Sequence, residues 1–517
     1  MNKINKLINF SSTNSVADLF EAKVKTNPEA IAILNYKGKN YTYKNLQNKI
    51  LRLSNFLTSY NIKPSSRVVI ISENRSEYLE LEMACAKIGA IVAAINWRLS
   101  EEETQYCIDL VKPKIIFFSE RYQEKYYSLK LRSHKYVKFD KKYEKKIMDM
   151  PPYKGESIGR GEDPMVILYT SGTTGYPKGA VISHRAFIAR AMYNVIEYGI
   201  DKEDTFPAWA PMFHMASTDL AIGSLLIGGS VSFIDGFKKN IIINLLKKYK
   251  ISWLVLMPGM LEDFIKYLKT NTIKPKGIKI MGAMADLIPK KQIAEITQLL
   301  CTPYLNSFGS TETGMPPASG GKISINSMKY SLSKTQSSLC EIKFVDDDDR
   351  EVEIDQPGEC ILRGPTLFSG YWNEDKINQI EFRNGWFHMG DVMKRNGDGT
   401  IDFVDRKKYL IKSGGENIYP AEIERVFLSH KDVIEAVAVK TYSKKWGETP
   451  TVLVVTNSHD KFIKIYEDLV KLSRKKLAGY KQPSFIKYFS KENIPRSSTG
   501  KVQRHLIEKM IDSNFKG

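Results

Sequence analysis

Strand-like and helix-like blocks alternate through the first 160 residues, and this rhythm restricts the fold more than any other feature of the chain. Residues 30–35 form a short apolar run. Residues 43–59 carry Leu46, Ile50, Leu53 and Leu57 close to one helical face. Residues 67–72 (RVVIIS) read as a buried strand, 76–88 as a helix, 91–96 as a strand and 114–118 (KIIFF) as another strand. Successive parallel strands need long crossovers, usually helices, and those helices cover the faces of the sheet. The pattern therefore predicts an α/β body with a mainly parallel sheet and helices on both faces. The same rhythm continues through 231–234, 253–257 and 278–281. From Cys340 short β-like pieces follow (CEIKFV, GECILR, IDFV), separated by Gln-Pro-Gly and Asn-Gly-Asp-Gly turn signals. They predict a β subdomain, with the acidic run 346–349 as a solvated turn.

A boundary is expected near 405–408. A strand at 401–404 precedes it, and a Gly-Gly loop and a helix from Pro420 follow, with Glu422 and Glu424 in the first turn. Charge shifts at the same place. Residues 408–517 hold 21 Lys and Arg against 12 Asp and Glu, a net of +9 out of +19 for the 517-residue chain. The expected division is a large domain over 1–406 and a small, mobile, basic α+β lid over 407–517, closing on a polyanion. Such charge suits nucleotides, phosphorylated cofactors, nucleic acid or acidic lipid. No RNA-binding aromatic signature or zinc-finger spacing is present, so no nucleic-acid partner is expected. The five cysteines form no C-x-x-C pair and suit reduced thiols. The first residues lack a secretory leader, and the longest uncharged stretches, 220–234 and 296–311, fall short of the ~20 apolar residues of a membrane span. A cytoplasmic location is expected, with peripheral membrane contact left open.

The segment 163–180 (DPMVILYTSGTTGYPKGA) carries the strongest chemistry. An apolar strand at 165–169 leads into Thr170, Ser171, Gly172, Thr173, Thr174 and Gly175, then Lys178 and Gly179. Glycines let backbone N–H groups approach a phosphate, the hydroxyls donate to its oxygens and the ammonium offsets its charge. The spacing is not that of a Walker A loop. Further on stand SFGSTETG at 307–314, GWFHMGD at 385–391, DRKKYLIKSGGENIYPAEIE at 405–424 and PRSSTGKV at 495–502.

These segments, in this order, resemble the adenylate-forming enzymes: acyl-CoA synthetases, luciferases and peptide-synthetase adenylation domains. The resemblance covers nearly the whole chain and looks most like fatty-acyl-CoA ligases. It implies ATP, Mg²⁺ and coenzyme A as cofactors. It places residues 170–175 and Lys178 on phosphates, Thr311 on a phosphate, and Glu312 with Thr170 at the magnesium ion. Phe308 and Gly309 would lie against adenine and Asn306 at its polar edge. Asp391 and Arg406 would bind the ribose hydroxyls. Lys408 falls at the hinge, Gly414 and Gly415 in the loop that meets the pantetheine arm, and Lys501 at the lysine that reaches the carboxylate and α-phosphate during adenylation. His214, in WAPMFHMAS, falls beside the acyl pocket as a gate or wall.

One segment departs from the pattern. Many relatives carry Gly-Gly-Ala-Pro where this chain has Met281-Gly282-Ala283-Met284; the methionine is expected to fill space near the substrate. Segments 213–223 and 281–287 are mostly apolar, so the expected reaction joins a fatty or other apolar carboxylic acid to coenzyme A through an acyl-AMP. The alternatives are an aryl-CoA ligase and a stand-alone adenylation enzyme loading an acyl carrier protein. No carrier segment follows Gly517, so an in-chain acceptor is not expected, and the basic lid suits the 3′-phosphate of coenzyme A or an acidic carrier protein equally.

Overall fold

Strands buried on both faces need apolar side chains on both faces, and residues 68–71 and 115–118 supply them, each at most 1% exposed. The computed structural model describes residues 3–35, 38–129, 135–170, 176–257, 259–413, 416–496 and 502–514. Among them, one six-stranded sheet runs Lys135–Phe139, Ile115–Ser119, Arg67–Ile71, Ile91–Ala94, Pro164–Thr170, Lys178–Ser183. The first five strands are parallel and the last is antiparallel. An eight-stranded sheet has the order Lys322–Ile323, Tyr304–Leu305, Ile278–Met281, Lys250–Leu254, Asp204–Ala208, Ser230–Phe233, Ile31–Ile33, Tyr41–Thr42. It is parallel inside and antiparallel at each edge. The expected α/β class and mainly parallel sheets are what the protein has.

Helix Ser76–Ile88 shows how the layers join. It is buried along almost all its length because Val16–Thr26, Tyr43–Ser59 and Met215–Ile227 pack around it. It ends at Gly89, whose N–H donates to the Cys85 carbonyl and whose φ of +70 makes a left-handed ending that glycine adopts without a Cβ clash. Helix Tyr43–Ser59 opens with a reciprocal cap: the Asn45 N–H donates to Thr42 Oγ1 and the Thr42 N–H to Asn45 Oδ1. Segment 220–234 divides between helix Met215–Ile227 and strand Ser230–Phe233. No helix among the described residues is long and apolar enough to cross a membrane.

By packing, the chain divides into two units. One comprises the residues up to Glu341 with Arg363–Gly385, and the other Ile342–Leu362 with the residues from Trp386 on. The second unit holds almost all of the four-stranded sheet Glu341–Val345, Pro357–Arg363, Phe387–Arg395 and Ile401–Arg406, whose last three strands pair antiparallel and which accounts for most of the expected β subdomain. It also holds a five-stranded sheet, Glu416–Ile418, Ile411–Ser413, Gly447–Val455 and Glu435–Ser443 with Phe485–Tyr488 beside Gly447–Val455. Helices Pro420–Leu428 and His459–Lys476 bury Ile423, Phe427, Ile465 and Leu469 on one face of that sheet. Helix Arg504–Asn514 buries Ile507 and Ile511 with Val437, Val439 and Leu453. The acidic run is a turn: Asp346 Oδ1 accepts the N–H groups of Asp348 and Arg350. The expected 406/407 boundary falls inside the second unit.

Candidate active site

Strands Pro164–Thr170 and Lys178–Ser183 form an antiparallel hairpin whose last pair is Thr170 with Lys178. The hairpin therefore brings the two ends of the phosphate loop together. Ser171, Gly172, Thr173, Thr174 and Gly175 lie outside the described residues. Lys178 is buried, and its ammonium lies 3.4 Å from Glu381 Oε1 and 4.7 Å from the centre of the Tyr371 ring. The Tyr371 hydroxyl donates to Glu312 Oε1 at 2.9 Å. Four side chains thus connect the phosphate loop to the expected magnesium ligand: Lys178, Glu381, Tyr371 and Glu312. Burial pushes the Tyr371 phenol well above its ordinary range, and the carboxylates of Glu312 and Glu381 push it further. The hydroxyl is a standing donor. Burial also raises the Glu381 carboxyl, against the pull of Lys178.

The loop that carries Glu312 is held by a second polar group. Arg190 is buried on helix His184–Tyr198. Its Nη2 donates to the Thr311 carbonyl at 3.0 Å, its Nε to the Thr366 carbonyl at 3.0 Å, and its Nη1 to Asp219 Oδ2 at 2.9 Å. The flat guanidinium fork suits three directions at once. Burial pushes the Asp219 carboxyl up, and Arg190 draws it back. At Gly309 a Cβ would sit 2.2 Å from the Gly314 carbonyl, so only glycine lets the two arms of this loop close. Phe308 is fixed by main-chain bonds with Ala318 in both directions.

Other expected site residues stand differently. The Asn306 side chain is engaged within the protein: its Nδ2 donates to the carbonyls of Leu332 and Ser333, and its Oδ1 accepts from Lys334 at 2.7 Å. His214 is exposed and caps helix Met215–Ile227, Nδ1 accepting the Ala216 N–H at 3.2 Å. Met281 is fully buried in the core among Leu254, Leu256 and Tyr304. Gly282, at φ +87, faces the Tyr304 ring so closely that a Cβ would overlap it.

In the second unit, Asp391 and Arg406 stand opposite each other on paired strands, with Arg406 Nε 2.6 Å from Asp391 Oδ1. Lys408 is exposed, two residues on, in a short turn Lys407–Tyr409. Lys407 is tied to Glu359 at 2.9 Å and Asp347 at 3.0 Å. Gly414, Gly415 and Lys501 lie outside the described residues. The flanks of the Lys501 segment are fixed: Arg496 bonds both oxygens of Glu435 at 2.6 Å, Arg496 bridges Val502, and Arg504 bonds Glu424 at 2.6 Å.

The AMP-binding enzyme family matches residues 20–372, and its C-terminal domain matches 422–501. The chain belongs to the AMP-binding enzyme family. It is similar to an indoleacetate–CoA ligase of Aromatoleum aromaticum, 26% identical over 92% of this chain and 94% of that one. It is also similar to a 2-succinylbenzoate–CoA ligase of Bacillus mycoides, 27% identical over 94% and 96%. Its fold is that of an o-succinylbenzoate CoA synthetase of Bacillus subtilis solved with an acyl-adenylate intermediate, at TM-score 0.83 and 24% identity over 96% of this chain and 98% of that one. This member of the family is an ATP-dependent, AMP-forming CoA ligase. Its small-molecule partners are ATP, Mg²⁺, coenzyme A and a carboxylic acid.

The residues suit Mg²⁺ carried by a nucleotide. No group of three or more His, Cys, Asp or Glu side chains gathers for a metal among the described residues. Glu312 instead offers one hard carboxylate on a braced loop, and Mg²⁺ is commonly held by one or two carboxylates together with substrate phosphates. Sequence reading missed Tyr371, Glu381, Arg190 and Asp219. Tyr371 lies 59 residues from Glu312, and no local period links them.

Proposed function

We propose that this chain joins an aromatic carboxylic acid to coenzyme A. The acid's oxygen attacks the α-phosphorus of ATP; the new P–O bond gives acyl-AMP as the bond to pyrophosphate breaks. The thiol sulfur then attacks the acyl carbon, AMP leaves with the electron pair, and the thiol proton passes to solvent. Phosphoryl transfer asks mainly for positioning and charge stabilisation. Lys178 and the phosphate loop would hold the phosphates, Glu312 would anchor Mg²⁺ (which offsets phosphate charge), and Tyr371 would fix the Glu312 rotamer. Asp391, braced by Arg406, would accept the ribose hydroxyls. Lys501 would offset charge at the α-phosphate, and the thiol would meet the loop carrying Gly414 and Gly415. In this reading residues 407–517 turn as a lid about Lys408 between the two half-reactions.

The observation that carries the reading is the continuous contact from Lys178 through Tyr371 to Glu312 beside the phosphate-loop hairpin. The aromatic choice rests on the similar ligases named for indoleacetate and 2-succinylbenzoate, which support the aryl alternative better than the fatty acid expected from composition. None of the five cysteines is in a disulfide, which suits the cytoplasm. The test is ATP–pyrophosphate exchange with a panel of aromatic and fatty acids, followed by thioester formation with coenzyme A. Exchange with fatty acids alone refutes the aromatic assignment, and exchange with no acid refutes the ligase reading.

A further inference from the structure

In the second unit a single buried carboxylate holds the chain neighbours of both ribose candidates. Strands Pro357–Arg363 and Phe387–Arg395 pair with Glu359 opposite Val392 and Ile361 opposite His388, so Met389, Gly390 and Asp391 together face Cys360 alone. Such a bulge bends a strand and re-aims its side chains, often beside an active site. Gly390 passes through it at φ +70. The residue that leaves the bulge is Asp391, and it pairs with Arg406 on the next strand.

Glu359 is 7% exposed and reaches across this bulge. Its Oε1 accepts the Gly390 N–H at 3.2 Å, and its Oε2 accepts from the Lys407 ammonium at 2.9 Å, with His388 Nδ1 at 3.5 Å. Gly390 precedes Asp391, and Lys407 follows Arg406. One carboxylate therefore grips the neighbour of each member of the Asp391–Arg406 pair. Lys407 also meets Asp347, but that carboxylate is exposed, and exposed pairs contribute little. Burial raises the Glu359 carboxyl; the contacts with His388 and Lys407 outweigh it and bring it down to about 2. Replacing a buried ion pair by apolar side chains of similar volume often costs no stability, so stability alone does not account for a charge at this position.

We propose that Glu359 is a positioning residue for the ribose of the nucleotide: by holding Gly390 on one strand and Lys407 beyond the other, it sets how Asp391 and Arg406 face each other. Glu359 touches no substrate itself. The inference rests on the reading above, in which Asp391 accepts the ribose hydroxyls, and adds the residue that acts through it. The phosphate-loop hairpin and Glu312 belong to the first unit, while Glu359 and all its partners belong to the second. Loosening Glu359 should therefore weaken recognition of the two ribose hydroxyls and spare that of the triphosphate.

The test compares kcat/KM for pyrophosphate exchange with ATP, 2′-deoxy-ATP and 3′-deoxy-ATP, using the full chain and the acid of the panel above that exchanges fastest. The parent is expected to prefer ATP, because a deoxy nucleotide leaves a desolvated acceptor without its donor. Glu359→Ala should lower that preference by about tenfold. Glu359→Gln keeps the side chain's size and one acceptor oxygen, and should lower it by about threefold. The preference is a ratio within one variant, so a general loss of folded enzyme does not move it, and the glutamine variant serves if the alanine variant does not fold. Asp391→Asn should abolish the preference. If it does so while the Glu359 variants keep the parent's preference, this inference is overturned and the ribose assignment stands. Equal use of the three nucleotides by the parent, a preference that survives Asp391→Asn, or exchange with no acid would overturn both.

Discussion

Tyr371 works as a bracket rather than as an acid. Its hydroxyl holds Glu312 Oε1 at 2.9 Å while its ring lies under the Lys178 ammonium and packs on Phe368 with centroids 4.8 Å apart. Tyr371→Phe keeps the ring contacts and removes the donor. A hydrogen bond to a charged group contributes about 1.5–3 kcal/mol, so the Mg²⁺ concentration for half-maximal exchange should rise about tenfold with little change in melting temperature. A titration that leaves that concentration unchanged would show that Glu312 needs no such support. His184 poses a different residue-scale case. It is buried, its Nδ1 accepts the Val16 N–H at 3.1 Å, and Gly159 leaves room for its Nε2 where a Cβ would sit 2.5 Å away. Burial lowers its pKa from 6.5 to about 4. Between those values the unfolded chain binds a proton that the folded protein refuses, so stability falls as pH drops from 6.5 towards 4, by about 3 kcal/mol in all. Chemical unfolding at pH 7, 5 and 4 should show that slope, and His184→Gln should flatten it; equal slopes in both proteins would rule out His184 as its source.

At the scale of elements, the last helix, Arg504–Asn514, is secured by a partly buried charge pair. Arg504 reaches Glu424 at 2.6 Å and the Ala438 carbonyl at 3.2 Å, and stacks 4.5 Å from the Tyr409 ring centre. Glu424 Oε1 also accepts the Ala438 N–H. Arg504→Ala should destabilise by about 2–3 kcal/mol, since it strands a carboxylate, and adding Glu424→Ala should cost less than the sum. Additive losses in a denaturant series would deny the coupling. The elements themselves were largely legible. Residues 43–59 and 76–88 are helices at the expected bounds and 278–281 a strand, because period and burial agree there. Strand Lys178–Ser183 was not foreseen: it pairs antiparallel at a sheet edge, and Lys, Gly and Ser break the apolar run that betrays a parallel strand. Tyr371, Arg190 and Asp219 left no trace in the sequence, because each meets its partner across a tertiary gap that only packing closes.

For the molecule as a whole, the two half-reactions make opposite demands on one centre. Adenylation needs an ammonium at the α-phosphate; thioester formation needs that space for a thiol. In the proposed reading the groups for each lie in the same C-terminal segment, Lys501 near one end and the Gly414–Gly415 loop near the other, with Lys408 before both. The turn at Lys408 is anchored on its upstream side, where Lys407 binds Glu359 and Asp347, while Lys408 itself is exposed. A pivot requires free φ at that residue, and proline fixes φ near −65°. Lys408→Pro should therefore keep pyrophosphate exchange within about threefold of the parent and lower thioester formation by about a hundredfold or more, the size of effect expected when a catalytic arrangement cannot assemble. Lys501→Ala should do the reverse: exchange falls by about a hundredfold, while chemically supplied acyl-AMP is still converted to thioester. Measuring both half-reactions in both variants separates a hinge from a local defect. If Lys408→Pro depresses the two equally, rotation at Lys408 is not how this enzyme exchanges one set of groups for the other.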